Sequence, residues 1–221
     1  MLPVQEKPSL RTRTWDLYYE DEMKNCYKHF RKYFDTSVIL NTQDQIREHA
    51  ILNALKNHKE DDLYLEFGVF SGGSANFFSK ILKDKTLYGF DSFKGLKNDW
   101  KGHLLPTGHF NLKEKVPKVN NNVELIVGWV EDTLEDFLKE NNNRKINFVH
   151  IDMDTYEPAK FILKKIKPFL KKNTIILFDE VYNFPGWNVG EYKALQEVFK
   201  EKEYTFIGFS RYGHQASIKI L

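Results

Sequence analysis

Residues 63–74, LYLEFGVFSGGS, decide the fold, because five mostly apolar residues run into a turn rich in glycine and serine. The first five, Leu63 to Phe67, have the composition of a buried strand, and a helical pattern follows from about Gly73 to Lys83. Small residues between a strand and a helix let the backbone turn tightly and approach a ligand, and the helix N-terminus supplies free N–H groups. The stretch therefore predicts the first strand, loop and helix of a ligand-binding α/β sheet.

Short apolar runs and helical patterns alternate through most of the chain. Further strands are predicted at residues 87–90, 124–127, 146–151 and 174–178, and further helices at residues 133–140, 159–170 and 191–200. This alternation is typical of parallel strands joined by right-handed helical crossovers.

The end of the chain breaks the alternation, because the apolar runs 204–209 and 216–220 are separated by a segment too short for a crossover helix. These two strands should form an antiparallel hairpin. The predicted fold is a Rossmann-like α/β sheet of seven mostly parallel strands, with helices on both faces and an antiparallel last strand. A reversed last strand is typical of class I methyltransferases and not of dehydrogenases, although a fold alone does not fix a function.

Composition excludes several classes of protein. The chain has 221 residues and a formal net charge of +2, and lysine greatly outnumbers arginine, which argues against a nucleic-acid partner. No apolar run is long enough to span a bilayer, and the N-terminus has no apolar signal segment. Cys26 is the single cysteine, so a disulfide framework is excluded. We expect a cytoplasmic protein that binds neither nucleic acid nor membrane.

The turn after the first strand also indicates the ligand. A pyrophosphate would require G-x-G-x-x-G, and a carboxylate, Glu66, stands before the first glycine here. A carboxylate repels phosphate but suits the ammonium group in the amino-acid portion of S-adenosylmethionine (SAM). We therefore assign Glu66, Gly68, Ser71, Gly72 and Ser74 to SAM. The alternative is an ordinary turn in which Glu66 caps the helix.

A second carboxylate follows the second predicted strand, in the segment Asp91-Ser92-Phe93. An acidic residue at this place can accept hydrogen bonds from both ribose hydroxyls of a nucleoside. Ser92 belongs to the same predicted cofactor segment, and Phe93 could pack on the adenine. The alternatives are a turn aspartate for Asp91 and a core position for Phe93.

Four carboxylates follow the fourth and fifth predicted strands, and they suggest the reaction. Asp152 and Asp154 come after one strand, and Asp179 and Glu180 after the next. Neighbouring parallel strands end about 5 Å apart at one crevice, so these groups should repel one another unless a cation or a substrate ammonium group lies between them. Mg²⁺ or Ca²⁺ prefers such oxygen ligands and would lower the pKa of an acceptor hydroxyl. The alternative for Asp154 is a helix N-cap.

The longest motifs occur in an order that matches a known family. They are Glu66–Val69 with Gly72–Ser74, Phe90–Leu96 with Asp99–Trp100, Gly128–Leu134, Ile151–Glu157 and Phe178–Glu180. From about Leu63 to Leu195 the sequence resembles the macrocin O-methyltransferase (TylF-like) family of class I, metal-dependent sugar O-methyltransferases. The resemblance implies that Asp152, Asp179 and Glu180 hold Mg²⁺ or another divalent cation. It places Asp154 nearby as a ligand or base, so that Asp152 and Asp154 are the predicted catalytic residues.

The resemblance also implies that Gly128 and Trp129 border the adenine. Three positions depart from the related patterns. Glu180 stands where the family usually has Asp, Lys97 where it has Pro, and Thr155 where catechol O-methyltransferases have a base lysine.

The general base therefore stays open among Asp154, His150 and His103. His150 lies in a strand pattern, which favours a buried position. His103 and His109 lie in a long polar loop that could cover the acceptor. Trp187 is a candidate for the acceptor pocket, with a packing role as the alternative.

These observations lead to one functional hypothesis and its alternatives. The chain should bind SAM and transfer its methyl group to a hydroxyl of a sugar or other small molecule, with a divalent cation. The alternatives are N-methylation, a hydroxylase-like reaction and a nicotinamide-dependent oxidoreductase, the last disfavoured by Glu66. We divide the chain into an N-terminal helical extension or cap, residues 1–58, and a SAM-binding methyltransferase domain, residues 59–221.

The N-terminal extension carries two helical patterns. One runs from Asp16 to about Phe34, and Thr42 with Gln45 forms a capping box that opens the second. The first is unusually aromatic, with Tyr18, Tyr19, Tyr27, Phe30, Tyr33 and Phe34. We expect these side chains to cover the acceptor side of the sheet or to form a homodimer contact. The alternative is a helix packed at the sheet edge.

Overall fold

A mixed sheet of eight strands runs through the part of the protein that the computed structural model describes, residues 13–100 and 105–221. In chain order the strands are β1 (Val38–Leu40), β2 (Leu63–Phe67), β3 (Leu87–Asp91), β4 (Val123–Val127), β5 (Ile146–Ile151), β6 (Leu170–Phe178), β7 (Tyr204–Ser210) and β8 (Ala216–Ile220). Their spatial order is β1-β7-β8-β6-β5-β2-β3-β4. Only β8 is antiparallel to its neighbours among these strands.

Helices cover both faces of this sheet. In chain order they are α1 (Thr14–Phe34), α2 (Gln43–Leu55), α3 (Gly73–Leu82), α4 (Val130–Glu140), α5 (Tyr156–Ile166) and α6 (Glu191–Val198). Buried residues of α2 and α3 share one apolar core, and those of α1, α4, α5 and α6 share the other. Among the described residues, every helix is too short or too polar to cross a membrane.

The central strands are buried on both faces, which explains their continuous apolar sequences. All residues of β2 and β5 are buried, and so are the last five of β6. In the register of these strands, Phe67 lies beside Ile151, and Ile151 lies beside Phe178. The three strands therefore end side by side, and the residues that follow them meet at one edge of the sheet.

The seven predicted strands and the terminal hairpin are confirmed, with bounds that differ by a few residues. The number of strands was wrong, because β1 was missed. β1 has three residues, and Val38 and Ile39 are about half exposed, so the sequence has no alternating pattern to detect. Its pairing with β7, about 170 residues later, is what defines it as a strand.

The second predicted helix begins as expected. The Gln45 N–H donates to Thr42 Oγ1 at 3.2 Å, and the Thr42 N–H donates to Gln45 Oε1 at 3.2 Å. This capping box is confirmed, and it fixes the start of α2, the helix that approaches the strand ends.

The aromatic residues of α1 divide between solvent and core. Tyr18, Tyr19 and Tyr27 are exposed, whereas Phe30 is fully buried. Tyr33 and Phe34 are partly buried and pack against the core beside Phe30. The Phe30 ring contacts side chains from β7, α6 and the loop before α6, namely Phe206, Phe209, Tyr182, Trp187 and Tyr192. The structure therefore shows packing beside the β7 end of the sheet, and the homodimer contact stays a prediction.

Candidate active site

A cavity of about 310 Å³ lies at the carboxyl ends of five parallel strands. Each of the following loops contributes to its wall, with Gly68 after β2, Asp91 at the end of β3, Gly128 after β4, Asp152 after β5 and Asp179 after β6. In open α/β sheets, ligands bind at this edge. The five predicted site segments therefore meet at one cavity.

Gly68 begins the turn between β2 and α3. It has φ +89°, and a Cβ atom built on it would lie 1.8 Å from the backbone oxygen of Asp152. A side chain would therefore push apart the loops after β2 and β5, and only glycine satisfies both the space and the backbone angle. This close approach sets the floor of the cavity.

Asp91 joins the two loops on the β3 side. Its Oδ2 accepts hydrogen bonds from the N–H groups of Val69 at 2.9 Å and Phe70 at 2.7 Å. Its Oδ1 accepts from the N–H of Phe93 at 2.7 Å. A carboxylate has about four lone-pair sites, so Asp91 has capacity for a ligand as well as for these three donors.

Aromatic side chains line part of the cavity. Trp129 follows β4, Trp100 and Phe110 belong to the long segment after β3, and the Lys97 Nζ lies 5.3 Å from the centroid of the Trp129 ring. Lys97 also pairs with Glu131 at 3.1 Å, which holds its ammonium group over the ring. This aromatic end of the cavity offers flat apolar surfaces of the kind that a nucleoside base stacks on.

The β5 and β6 end of the cavity is acidic. Asp152, Asp154 and Glu180 each place a carboxylate oxygen within 4.8 Å of the other two. The N-cap of α5 is Thr155, so the alternative of Asp154 as a helix cap is wrong. Asp154 instead has φ +58°, a left-handed conformation that Asp tolerates, and it lines the cavity.

Burial and neighbouring charge raise the pKa of each of these three carboxyl groups. Burial first, and then the charge of Asp179, raises the pKa of Asp152 and of Glu180 well above the ordinary range. The same two causes raise the pKa of Asp154 to about 7. A carboxyl group with this pKa can exchange a proton near neutral pH.

Asp179 differs from these groups because cations and amides surround it. His150 Nε2 lies 3.5 Å from its Oδ1, and the Gln215 side-chain amide donates to its Oδ2 at 3.2 Å. Burial alone would raise the pKa of Asp179, but the hydrogen bond and charge of His150 outweigh burial and lower it. Asp179 is therefore the ionised member of the acidic end.

His150 lies between two carboxylates inside the sheet. Its Nδ1 is 3.0 Å from Glu66 Oε1, on the side opposite Asp179. Burial opposes the charge of the imidazole, but Asp179 and Glu66 outweigh burial and raise its pKa to about 10. His150 and Glu66 are both fully buried, so this pair supports Asp179 from behind the cavity wall.

Glu191, at the start of α6, is a residue that the sequence analysis missed. It is fully buried, and its Oε1 and Oε2 accept from the N–H groups of Met153 at 3.0 Å and Glu180 at 3.2 Å. Burial raises its pKa to about 8 although these two bonds oppose the change. Glu191 ties the loop after β5 to the loop after β6. No local signal marks it, since acidic residues are common in the first turn of any helix.

Two residues of α2 also line the cavity and were missed. Gln43 and Arg47 lie one helical turn apart and so share one face of the helix. The Gln43 Nε2 is 3.5 Å and the Arg47 Nη2 is 3.8 Å from Asp179 Oδ1. The helix α2 comes before Leu63, where the recognised motifs begin, so the spacing of those motifs gave no reason to assign Gln43 or Arg47 to the site.

Predicted site residues divide into two sets. Those in the cavity wall are Gly68, Asp91, Ser92, Gly128, Trp129, Asp152, Asp154, Asp179 and Glu180. Those outside the wall are Glu66, Ser71, Gly72, Ser74 and Phe93. The roles of both sets in binding or catalysis stay predictions.

The second set has physical reasons to lie away from the cavity. Glu66 is held by His150, and Phe93 is 1% exposed in the apolar core. Gly72 and Ser74 form the start of α3, and Ser71 is exposed beyond the wall. Phe93 therefore lies in the core, which was the alternative interpretation, and not at the cavity where the adenine was expected.

The other sequence candidates lie elsewhere. His109 packs on Phe110, at 4.4 Å between ring centroids, and is not in the described cavity wall. Trp187 is 5% exposed and packs against Phe30 and Tyr192, so the packing alternative describes it. His103 lies outside the described residues. No described residue of α1 lines the cavity; α2 supplies the N-terminal part of its wall.

The acidic end fits a divalent cation. All three close donors are carboxylate oxygens, which hard cations such as Mg²⁺ prefer. Glu180 Oε2 is buried and has no hydrogen-bond partner among the described residues, a cost that a cation would remove. Two groups of donors lie close enough to share a cation, Asp152 with Asp154 and Glu180, and Asp152 with His150 and Asp179. The predicted ligands Asp152, Asp179 and Glu180 are divided between these groups, and their role stays a prediction.

Comparisons with known proteins agree with this architecture. The profile of a family described as a methyltransferase domain matches residues 65–181. The structure of the calicheamicin methyltransferase CalS11 has a TM-score of 0.67 and 22% sequence identity, over 90% of this chain and 85% of that chain. The O-methyltransferase NovP has a TM-score of 0.55 and 20% identity, over 80% of this chain and 78% of that chain. A search of curated proteins found no match. At these identities the structures share the fold.

Proposed function

We propose that this chain, which belongs to the methyltransferase-domain family and has the class I fold that uses SAM, transfers the methyl group of SAM to a hydroxyl oxygen of a small acceptor, such as a sugar or another polyol. The profile of that family matches more than half of the chain. The observation that carries this proposal is the cluster of Asp152, Asp154 and Glu180 at one end of the cavity. Within the proposal, residues 1–58 are the N-terminal helical extension or cap and residues 59–221 the methyltransferase domain.

The polarity of the cavity supports one orientation of SAM. The aromatic end, with Trp129 and Gly128, suits the adenine, and Asp91 lies where ribose hydroxyls could donate to it. Gly68 lets the amino-acid portion approach the backbone at the turn after β2. In this orientation the sulfonium lies toward Asp152, next to the acidic end.

The acidic end would hold and deprotonate the acceptor. Bound there, a divalent cation would lower the pKa of a hydroxyl group. Asp152 and Glu180 would hold the cation, and Asp154, in the same cluster, would take the proton from the acceptor hydroxyl. Fixing the hydroxyl oxygen in line with the sulfonium would supply much of the rate acceleration.

Two further observations support a hydroxyl acceptor. A second structure of CalS11 describes that enzyme as a TDP-rhamnose 3′-O-methyltransferase, and NovP is described as an O-methyltransferase. The sequence blocks also resemble the macrocin O-methyltransferase family. An amine acceptor could use these carboxylates as a base but would not need an oxygen-rich cation site.

The test combines ligand binding with methyl transfer. Isothermal titration should show binding of SAM or its demethylated product, S-adenosylhomocysteine, and no binding of NAD. With isotopically labelled SAM, a panel of sugars and polyols should accept label in Mg²⁺ but not in EDTA. Asp152→Asn should abolish transfer and keep SAM affinity, whereas Asp136→Asn, an exposed control on α4, should change neither.

Three results would overturn the proposal. NAD binding without SAM binding would show that SAM is not the cofactor of this protein. Label that is found on a nitrogen atom would reject the hydroxyl acceptor. Full-rate transfer to a hydroxyl group in EDTA would reject the cation and leave the carboxylates as bases alone.

A further inference from the structure

The side chain of Arg47 is nearly buried in the cavity wall and has almost no partners. Only 14% of it is exposed, and its Nε is buried without a hydrogen-bond partner among the described residues. Its nearest acid is Asp179, with 3.8 Å between Arg47 Nη2 and Asp179 Oδ1, beyond hydrogen-bond distance. A guanidinium group has five N–H donors, and burying such a charge without hydrogen bonds is costly.

Asp179 forms an ion pair with Arg47 but accepts no hydrogen bond from it. It is already served by His150 at 3.5 Å and by the amide of Gln215 at 3.2 Å. Gln43, one turn before Arg47, is likewise at the limit of hydrogen bonding to it, at 3.5 Å. Both side chains reach the cavity from one face of α2, Gln43 with one long hydrogen bond and Arg47 with a buried Nε that has no partner among the described residues.

The location of Arg47 relative to the proposed SAM site suggests which hydrogen-bond acceptor its guanidinium group lacks. In the order β6-β5-β2-β3-β4, Asp179 and Gly128 follow strands that are four steps apart, roughly 19 Å at the usual strand spacing. With the adenine at the Gly128 end, the amino-acid portion of SAM extends toward Asp152 and Asp179. This portion carries the one anionic group of SAM, its α-carboxylate.

Among the charged side chains of the described wall, Arg47 is the best partner for that carboxylate. At this end the described wall carries four carboxyl groups, Asp152, Asp154, Asp179 and Glu180, and none of them offers a positive charge to that carboxylate. The other described cation of the wall, Lys97, pairs with Glu131 at the aromatic end. The planar donors of a guanidinium match a carboxylate in two parallel hydrogen bonds.

We propose that Arg47, with Gln43 beside it, binds the α-carboxylate of SAM. The inference rests on the proposed orientation of SAM and makes α2, in the N-terminal extension, part of the donor site. Arg47 would then select donors that carry the carboxylate, and the acidic residues would face the ammonium group and the acceptor.

Isothermal titration with two ligands that differ in one group tests the proposal. SAM and decarboxylated SAM share every other group, so their affinity ratio reports on the carboxylate. Wild type should bind SAM roughly 10- to 100-fold more tightly than decarboxylated SAM, the range for a hydrogen bond to a charged group. Arg47→Gln should lose most of this ratio by weakening SAM alone, and Arg47→Lys should keep part of it. Arg31→Gln, on the exposed face of α1, is the control and should keep the full ratio.

The outcomes separate this inference from the proposed function. If Arg47→Gln and Arg47→Lys both keep the wild-type ratio, or weaken both ligands equally, Arg47 does not bind the carboxylate although SAM use stands. If wild type binds neither ligand, the donor assignment fails as well. Circular dichroism checks folding, and Gln43→Ala, predicted to reduce the ratio in part, keeps the test decisive if Arg47→Gln does not fold.

Discussion

Asp91 shows how a single carboxylate can organise a binding loop. Its two oxygens accept three backbone N–H groups, from Val69, Phe70 and Phe93. Phe70 and Phe93 both have positive φ angles, of 47° and 54°, which residues other than glycine rarely adopt. The hydrogen bonds to Asp91 help to hold both turns in these conformations, so its expected contact with ribose would be one of several roles.

We expect Asp91→Asn to weaken binding of S-adenosylhomocysteine by about 1–3 kcal/mol, because an amide group turns one accepting oxygen into a donor that faces backbone N–H groups. Isothermal titration measures this loss. The control is Asp84→Asn, an exposed aspartate after α3, which should leave affinity unchanged. Equal affinities for Asp91→Asn and wild type would show that neither the loop geometry nor the ribose contact depends on this carboxylate.

At the scale of elements, α1 shows what a local pattern can and cannot predict. The spacing of its aromatic residues predicted a helix, and the helix is present. Its contacts were not predictable, since Phe30 packs on Tyr192 and Phe206, more than 160 residues later. Local periodicity indicates that a face is apolar, but it does not indicate which distant surface the face covers.

We expect Phe30→Ala to lower the free energy of unfolding by about 3–5 kcal/mol, because it leaves a cavity among packed rings. The control is Tyr27→Ala on the same helix, where the side chain is 56% exposed and the expected change is within about 0.5 kcal/mol. Urea unfolding followed by tryptophan fluorescence measures both. Similar small losses in the two variants would mean that α1 is not docked as the structure shows.

The first residue of α6 makes a second prediction at this scale. Glu191→Ala removes the acceptor shared by the N–H groups of Met153 and Glu180, so the two acidic loops lose their common anchor. We expect Mn²⁺ affinity, measured by electron paramagnetic resonance, to fall about tenfold, the effect typical of losing a residue that orients ligands. Affinity for S-adenosylhomocysteine should stay close to wild type.

Ala194→Gly on α6 is the matched control for that experiment. It should destabilise the same helix by about 1 kcal/mol and leave Mn²⁺ binding intact. If folded Glu191→Ala binds Mn²⁺ as wild type does, Glu191 has a purely structural role.

At the scale of the whole molecule, the sequence predicted which residues follow the ends of the parallel strands and therefore meet at one edge of the sheet. Gly68, Asp91, Asp152 and Asp179 follow parallel strands, and parallel strands that end together bring such residues to one cavity. The direction of a side chain at a strand end was less predictable. Glu66 is the last residue but one of β2, and its carboxylate points into the sheet toward His150.

Residues that reach the site from other elements were not predictable at all. Arg47 and Glu191 lie at the cavity or behind it only because α2 and α6 pack beside the strand ends. Their sequence neighbourhoods are those of ordinary surface helices, polar with one apolar face. Such residues become candidates once the packing of helices on the sheet is known.

The shifted pKa values of the same assembly predict that the stability of the protein depends on pH. The chain is nearly neutral overall, yet its fold collects carboxyl groups whose pKa values are raised, including Asp154 at about 7 and Glu191 at about 8. A carboxyl group with a raised pKa in the folded state binds more protons when folded than when unfolded. Its stabilising effect is complete below the unfolded pKa and is lost as pH rises through the folded pKa. His150, with a pKa raised to about 10, changes in the same direction, whereas Asp179, with its lowered pKa, opposes them only at acidic pH.

We therefore expect the melting temperature in EDTA to fall between about pH 5.5 and about pH 8.5, as these carboxyl groups lose their protons and repel one another. Mg²⁺ should reverse the fall, and its stabilising effect should grow with pH, because deprotonated carboxylates bind the cation. Differential scanning fluorimetry across this range, with EDTA or with Mg²⁺, measures both effects.

Asp154→Asn should flatten the fall in EDTA, since it removes a group that titrates in the middle of the range, and Asp136→Asn on the surface should keep the wild-type slope. A melting temperature in EDTA that is constant or rises across this range would mean that the acidic end is not a cluster of raised pKa values. An Mg²⁺ effect independent of pH would mean that the cation binds elsewhere on the protein.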